Sequence, residues 1–183
     1  MAEEGTCTVM DLFLYVLMMK NIFGGCCMVS VLFVCLGNIC RSPMAEAIFR
    51  HKVKEQGLED KIRVDSAGTG SWHVGKPPHE GTQKILTEHQ IDFTDVIARQ
   101  LQETDTETFD YIIGMDSNNM DVIKELAQGR QTGTIAKFLD YVPEKRGEDV
   151  PDPYFTGNFE EVYHLINEGC ERLLAHIREK ENV

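Results

Sequence analysis

Cys35 and Arg41 stand six residues apart, with Gly37 and Asn38 between them and Ser42-Pro43 directly behind. These residue types at this spacing suit attack on a phosphate monoester. A thiolate is a strong nucleophile at neutral pH when nearby positive potential lowers its pKa. The oxygens of a transferring phosphoryl group carry charge that must meet donors fixed in advance. A loop can turn backbone N–H groups inward as an anion nest, and a helix N-terminus behind it adds partial positive charge. Arg41 offers a planar, two-pronged donor to phosphate oxygens. Gly37 permits a tight bend, and Asn38 tolerates left-handed backbone angles. The Ser42 hydroxyl is placed to donate to the sulfur and ease its later departure. Taken alone, Cys35 reads as a buried cysteine. A Cys six residues before an Arg is also a weak signal in a chain with six cysteines. The flanking elements make it specific.

Those elements must hold the loop. Residues 31–34 are a short apolar run, as expected for a strand buried on both faces of a parallel sheet. Pro43 suits the first turn of a helix. Met44, Ala45, Ala47, Ile48 and Val53 follow helically, and Gly57 ends the segment. Residues 62–66 predict a second strand and 111–115 a third, with Asp116 and Ser117 as helix-capping types behind it. Pro77 and Pro78 precede an amphipathic stretch through Thr87. Residues 135–139 predict a fourth strand, and 144–153 a loop. Phe159, Val162, Tyr163, Ile166, Cys170, Leu173, Leu174 and Ile177 recur at helical steps, a long C-terminal helix with its stripe on the sheet. The alternation predicts a single α/β domain with a mostly parallel sheet. Ligands in such folds bind at the carboxyl ends of strands, and the segment after Val34 is such a place.

The 183 residues suffice for one domain with a real core. A formal net charge of -12 argues against nucleic acid as a partner and against docking on anionic lipid. A locally positive site inside an acidic chain still handles phosphate. Cys7, Cys26, Cys27, Cys35, Cys40 and Cys170 show neither zinc-ribbon spacing nor a disulfide framework, which points to reduced cysteines in the cytoplasm, with export left open. Residues 1–27 hold a short apolar run at 9–19. It follows acidic Glu3 and Glu4 rather than a basic start, and it is too short to span a bilayer. The expectation is a leader outside the fold, with the domain at 28–183 and Met28 as a plausible start; a short docking or membrane-touching segment is the alternative.

The stretch VLFVCLGNICRSP at 31–43 closely resembles the signature of low-molecular-weight protein tyrosine phosphatases. The likeness continues through MAEAIF (44–49), VDSAGT (64–69), PPHEGTQ (77–83), ARQL (98–101), FDYIIGMD (109–116) and DPYFTGNFEEVY (152–163), and covers about residues 29–180. The resemblance implies a four-stranded parallel sheet with helices on both faces, in flavodoxin-like layering. It also implies a two-step phosphocysteine mechanism that uses no metal or other cofactor. Leu36, Gly37, Asn38, Ile39, Cys40 and Ser42 would form the phosphate-binding loop. Asp152 would be the general acid, and the chemistry agrees: a leaving oxygen needs a proton first and water needs a base second, so one carboxyl can serve both. The family's loop-bracing network would fall on Asn38, Ser42, Ser66 and His89. Leu36, Trp72 and Tyr154 would form the rim against the substrate ring. Where two tyrosines often stand in the family, this chain has Tyr154-Phe155. The implied partners are phosphotyrosine-bearing proteins or peptides; the sequence sets no oligomeric state.

Related chemistries stay open beside that one. Similar arsenate reductases need a further redox cysteine pair, and no cysteine lies between Cys40 and Cys170. Similar protein-arginine phosphatases carry Thr where this chain has Ile39, and an apolar residue there favours an aryl phosphate over a guanidinium. A phosphoprotein-binding module without turnover would be favoured by loss of the nucleophile or the acid, and both are present. Cys40, five residues after Cys35, would capture a sulfenic acid formed on Cys35 as a disulfide, or would only pack the loop.

Overall fold

The computed structural model describes residues 28–183; the expected leader at 1–27, with Cys7, Cys26 and Cys27, lies outside the described residues. The apolar run opens into β1, Val29–Cys35, buried along its whole length. α1 follows at Arg41–Glu55, then β2 at Ile62–Gly68 and α2 at Glu80–Glu88. A single turn, α3 (Asp105–Thr108), leads into β3, Tyr111–Gly114. α4 is Ser117–Ala127 and β4 is Thr134–Lys137. 3-10 turns at Phe138–Tyr141 and Pro143–Lys145 lead to the short α5, Pro153–Thr156, and to α6, Phe159–Glu181.

The four strands are all parallel in the order β2-β1-β3-β4. From β1 the chain first goes to one side, to β2, and then to the other, to β3. That reversal leaves a crevice beyond the carboxyl end of β1, where the loop bearing Gly37 and Asn38 lies.

Alternation along the strands separates two cores. Val31 and Phe33 join Met44, Ile48, Phe49, Leu86, Ile166, Cys170 and Leu173, the side of α1, α2 and α6. Leu32, Val34 and Ile112 join Met120 and Ile123 of α4 on the other face. Full burial of one such side chain is worth roughly 1.5–3 kcal/mol, so both layers hold β1 in place. α1 packs on β1, β2 and α6, and residues 41–49 are buried without interruption. The helix that launches from the loop is therefore clamped on several sides.

The fourth strand differs from the sequence expectation. β4 covers Thr134–Lys137, and Phe138 and Leu139 belong to the 3-10 turn. Both are fully buried, so their apolar character records burial rather than extended backbone. No helix among the described residues is long and apolar enough to cross a membrane.

Candidate active site

The Cys35 sulfur sits where β1 ends. It accepts a hydrogen bond from the Ser42 hydroxyl at 3.0 Å and from the Asn38 backbone N–H at 3.3 Å. Asn38 adopts φ 53°, the left-handed region its residue type tolerates, which turns its N–H inward. Its side-chain amide donates to Ser42 Oγ at 2.9 Å and to Ser66 Oγ at 2.8 Å, while its carbonyl oxygen accepts from the Arg99 backbone N–H at 2.8 Å. Ser66 in turn donates to Glu46 Oε2 at 2.6 Å. A Cβ on Gly68 would come within 3.1 Å of Asn38 Cβ and of the Gly37 carbonyl carbon, so the end of β2 can press directly on the loop. Burial pushes the Glu46 carboxyl up to about 7, with Asp65 adding to the rise and the Ser66 hydrogen bond, Arg50 and Arg99 opposing it. Glu46 therefore terminates a buried chain of donors that begins at the nucleophile candidate.

Arg41, the first residue of α1, is buried. Nη1 pairs with Asp116 at 2.6 Å and donates to the Val150 carbonyl at 3.1 Å; Nη2 pairs with Asp152 at 2.6 Å. Burial alone would lower the guanidinium pKa, but Cys35, Asp152 and Asp116 outweigh it and hold it above the ordinary value. Nε is buried with no hydrogen-bond partner among the described residues. A buried N–H left unpaired is uncommon and calls for an explanation. Asp152 caps α5 by accepting from the Tyr154 N–H at 3.1 Å through its other oxygen. Its loop is held by Asp149, which accepts from Lys137 at 2.9 Å and from Ser117, and by the Val150 N–H on the Met115 carbonyl at 2.9 Å.

A cavity of about 110 Å³ opens over this group. Cys35, Cys40 and Arg41 are among its lining residues, with Leu36, Gly37, Ile39, Trp72, His73, Asp152, Tyr154 and Phe155. A larger open depression of about 800 Å³, lined by Arg50, Lys54, Arg63 and Asp92 among others, contains neither Cys35 nor Arg41 and no constellation suited to phosphoryl transfer. Cys40 is buried among Ile39 and Ala98 with Phe159 against them. Burial first, then Cys35 and Asp152, push its thiol up to about 12 against the pull of Arg41 and Thr82. It therefore stays protonated beside the nucleophile candidate.

Most expected site residues gather here: Cys35, Leu36, Gly37, Ile39, Cys40, Arg41, Trp72, Asp152 and Tyr154 line one cavity, and Asn38, Ser42 and Ser66 form one hydrogen-bonded set. His89 requires a correction. It follows the last turn of α2, its ring stacks on Tyr163 of α6 at 3.9 Å, and it makes no hydrogen bond to Asn38, Ser42 or Ser66. The bracing is done instead by the Glu46 carboxyl and the Arg99 backbone. The sequence reading missed Glu46, the Asp116 partner of Arg41, and His73. Asp116 had one legible signal, its capping type: Oδ1 accepts from the Asn119 N–H at 2.8 Å while Oδ2 faces Arg41.

An inward backbone N–H at a strand end, a buried Arg and a cysteine sulfur beside one cavity are parts suited to holding a phosphate group. Comparison with known proteins agrees. The family model of the low molecular weight phosphotyrosine protein phosphatases matches residues 30–183. The low molecular weight protein-tyrosine-phosphatase YfkJ of Bacillus subtilis (strain 168) is 56% identical over 156 residues, 85% of this chain and 100% of that protein. Its crystal structure superposes with a TM-score of 0.81 at 57% identity, covering 84% of this chain and 96% of the other. The Drosophila arginine phosphatase gives a TM-score of 0.75 at 40% identity, covering 81% and 97%. The chain belongs to the low molecular weight phosphotyrosine protein phosphatase family, a family of phosphoric monoester hydrolases.

Proposed function

We propose that this protein hydrolyses phosphotyrosine in proteins through a phosphocysteine on Cys35. The observation that carries the reading is Arg41: buried, beside the cavity that Cys35 lines, and holding an unpaired Nε. A phosphate dianion would occupy the Nε–Nη2 edge of the guanidinium and the inward N–H groups of the loop. It would displace Asp152 from Nη2 and leave that carboxyl beside the leaving oxygen. The sulfur then attacks phosphorus, the P–O bond breaks, and Asp152, protonated from solvent once released from Arg41, delivers that proton to the departing phenolate. Water, deprotonated by the same carboxylate, attacks the phosphocysteine and releases phosphate. Ser42 donates to Cys35 Sγ and stabilises the sulfur as it leaves.

The exposed aromatic rim and apolar Ile39 on the cavity wall favour an aryl phosphate. The 40% identical arginine phosphatase keeps phosphoarginine as a second reading. Parallel kcat/KM measurements on one peptide carrying phosphotyrosine or phosphoarginine separate the two. The expected result is a clear preference for phosphotyrosine; preference for phosphoarginine would overturn the assignment of substrate while leaving the Cys35 chemistry intact.

A further inference from the structure

We propose that His79 is a positioning residue for the substrate's aryl ring, because its ring holds Tyr154 in place as a wall of the mouth. The inference rests on the phosphotyrosine reading above. His79 is the N-cap of α2: its backbone is extended, and Nδ1 accepts from the Gly81 N–H at 3.1 Å. A cap alone asks only for a short acceptor, and Asn or Asp would serve as well or better. What histidine adds is a ring, and the cap bond fixes its orientation.

That ring stacks face to face on Phe159, with centroids 5.2 Å apart and planes 9° apart, and meets the Tyr154 ring edge-on at 5.8 Å. Phe159 is itself anchored at the start of α6 against the cluster of Ile39, Cys40 and Ala98. Gly81 lies so close to it that a Cβ there would collide with the ring. The main chain of His79 completes the link, its N–H donating to the Ile39 carbonyl of the anion loop at 2.7 Å. One residue thus joins the loop, the start of α2 and the wall. Among the described residues Tyr154 has one other aromatic ring contact, with Phe155, which is 75% exposed and gives no anchored support. Without the His79 ring, Tyr154 would keep its backbone position and lose the surface that orients its side chain.

The test compares binding of phenylphosphonate and of inorganic phosphate to the full chain by calorimetry, in wild type, His79→Asn and His79→Phe. His79→Asn keeps an acceptor for the cap and removes the ring; His79→Phe keeps a ring and removes the cap. The expected wild type binds phenylphosphonate more tightly than phosphate. His79→Asn should lose about three- to tenfold of that preference, with phosphate affinity near wild type and, on a phosphotyrosine peptide, KM raised more than kcat is lowered. His79→Phe should keep the preference while melting at a lower temperature. Full preference retained in His79→Asn overturns the inference, as does equal loss in His79→Phe. Should His79→Asn fold poorly, His79→Ser, which also keeps a cap acceptor and removes the ring, takes its place on the same criterion. A wild type with no preference for the aryl ligand overturns the phosphotyrosine reading itself, a result distinct from either failure of His79.

Discussion

The anion loop and the rim above it are built in opposite ways. Cys35 and Arg41 are each 3% exposed and Ser42 is fully buried, whereas Trp72 is 69% and Tyr154 55% exposed. Asn38 alone bonds to Ser42, Ser66 and Arg99, which fixes the loop from within. The rim is held by ring contacts such as that between His79 and Tyr154. The physical reason lies in the two tasks. Stabilising charge in a transition state requires donors that do not reorganise. Accepting an aryl side chain would call for apolar surface. On the proposed function, the loop would carry chemistry common to any phosphate, and the rim the choice among them.

The comparison breaks most sharply at the loop. Cys35→Ser should reduce turnover about a thousandfold or more while inorganic phosphate still binds, since Arg41 and the backbone donors remain. Arg41→Lys should fall about a hundredfold or more, because a point charge cannot span two oxygens nor satisfy both Asp116 and Asp152. Steady-state assays with isothermal binding of phosphate check both; substantial residual aryl phosphatase activity in Cys35→Ser would remove it as nucleophile.

One step outward, Asp152→Asn should slow phosphotyrosine hydrolysis about a hundredfold or more, yet slow an aryl phosphate with a very acidic leaving group far less. A good leaving group needs little protonation. Equal losses on both substrates would take Asp152 out of the acid role.

The brace beneath the loop gives a pH signature. The Glu46 carboxyl is raised in the folded state to about 7 from an ordinary 4.5. The folded protein therefore holds a proton that the unfolded chain has already released between those values, and stability from this group is lost as pH rises through that window. Glu46→Gln should flatten that fall, which is on the order of 3 kcal/mol in wild type. Denaturant midpoints followed across the window check this; parallel wild-type and variant curves would contradict it. The smallest expected effect is that of removing residues 1–27, with kcat/KM within about twofold of the full chain if 28–183 carries the whole loop and rim. A truncated protein that folds but does not turn over would give the leader a function.

The loop was legible in the sequence because its chemistry is local. Cys35, Gly37, Asn38, Arg41 and Ser42 lie within eight residues, and β1 announced itself as an apolar run later found at Val29–Cys35. The brace was legible in part: the resemblance pointed to Asn38, Ser42 and Ser66, but not to its further bonds, which join distant parts of the chain. Glu46 sits in an ordinary helical stretch, and only folding brings it to Ser66, twenty residues away. Asp116 reads as a helix cap, which it is, while its second oxygen reaches Arg41 across 75 residues. His89 was drawn to the loop by motif and lies instead on Tyr163, since the register of α2 on α6 is set by packing. In β4 an apolar pattern could not tell a strand from a buried 3-10 turn at Phe138 and Leu139.

The most direct test of the account is to trap its intermediate. Enzyme turning over an aryl phosphate is quenched in acid and digested, and the peptide containing residues 31–50 is mapped by mass spectrometry. The expected result is the mass of one phosphoryl group on Cys35, absent from Cys35→Ser and absent without substrate. Rapid turnover with no phosphorylated Cys35 peptide, or with the phosphoryl group on another residue, would contradict it.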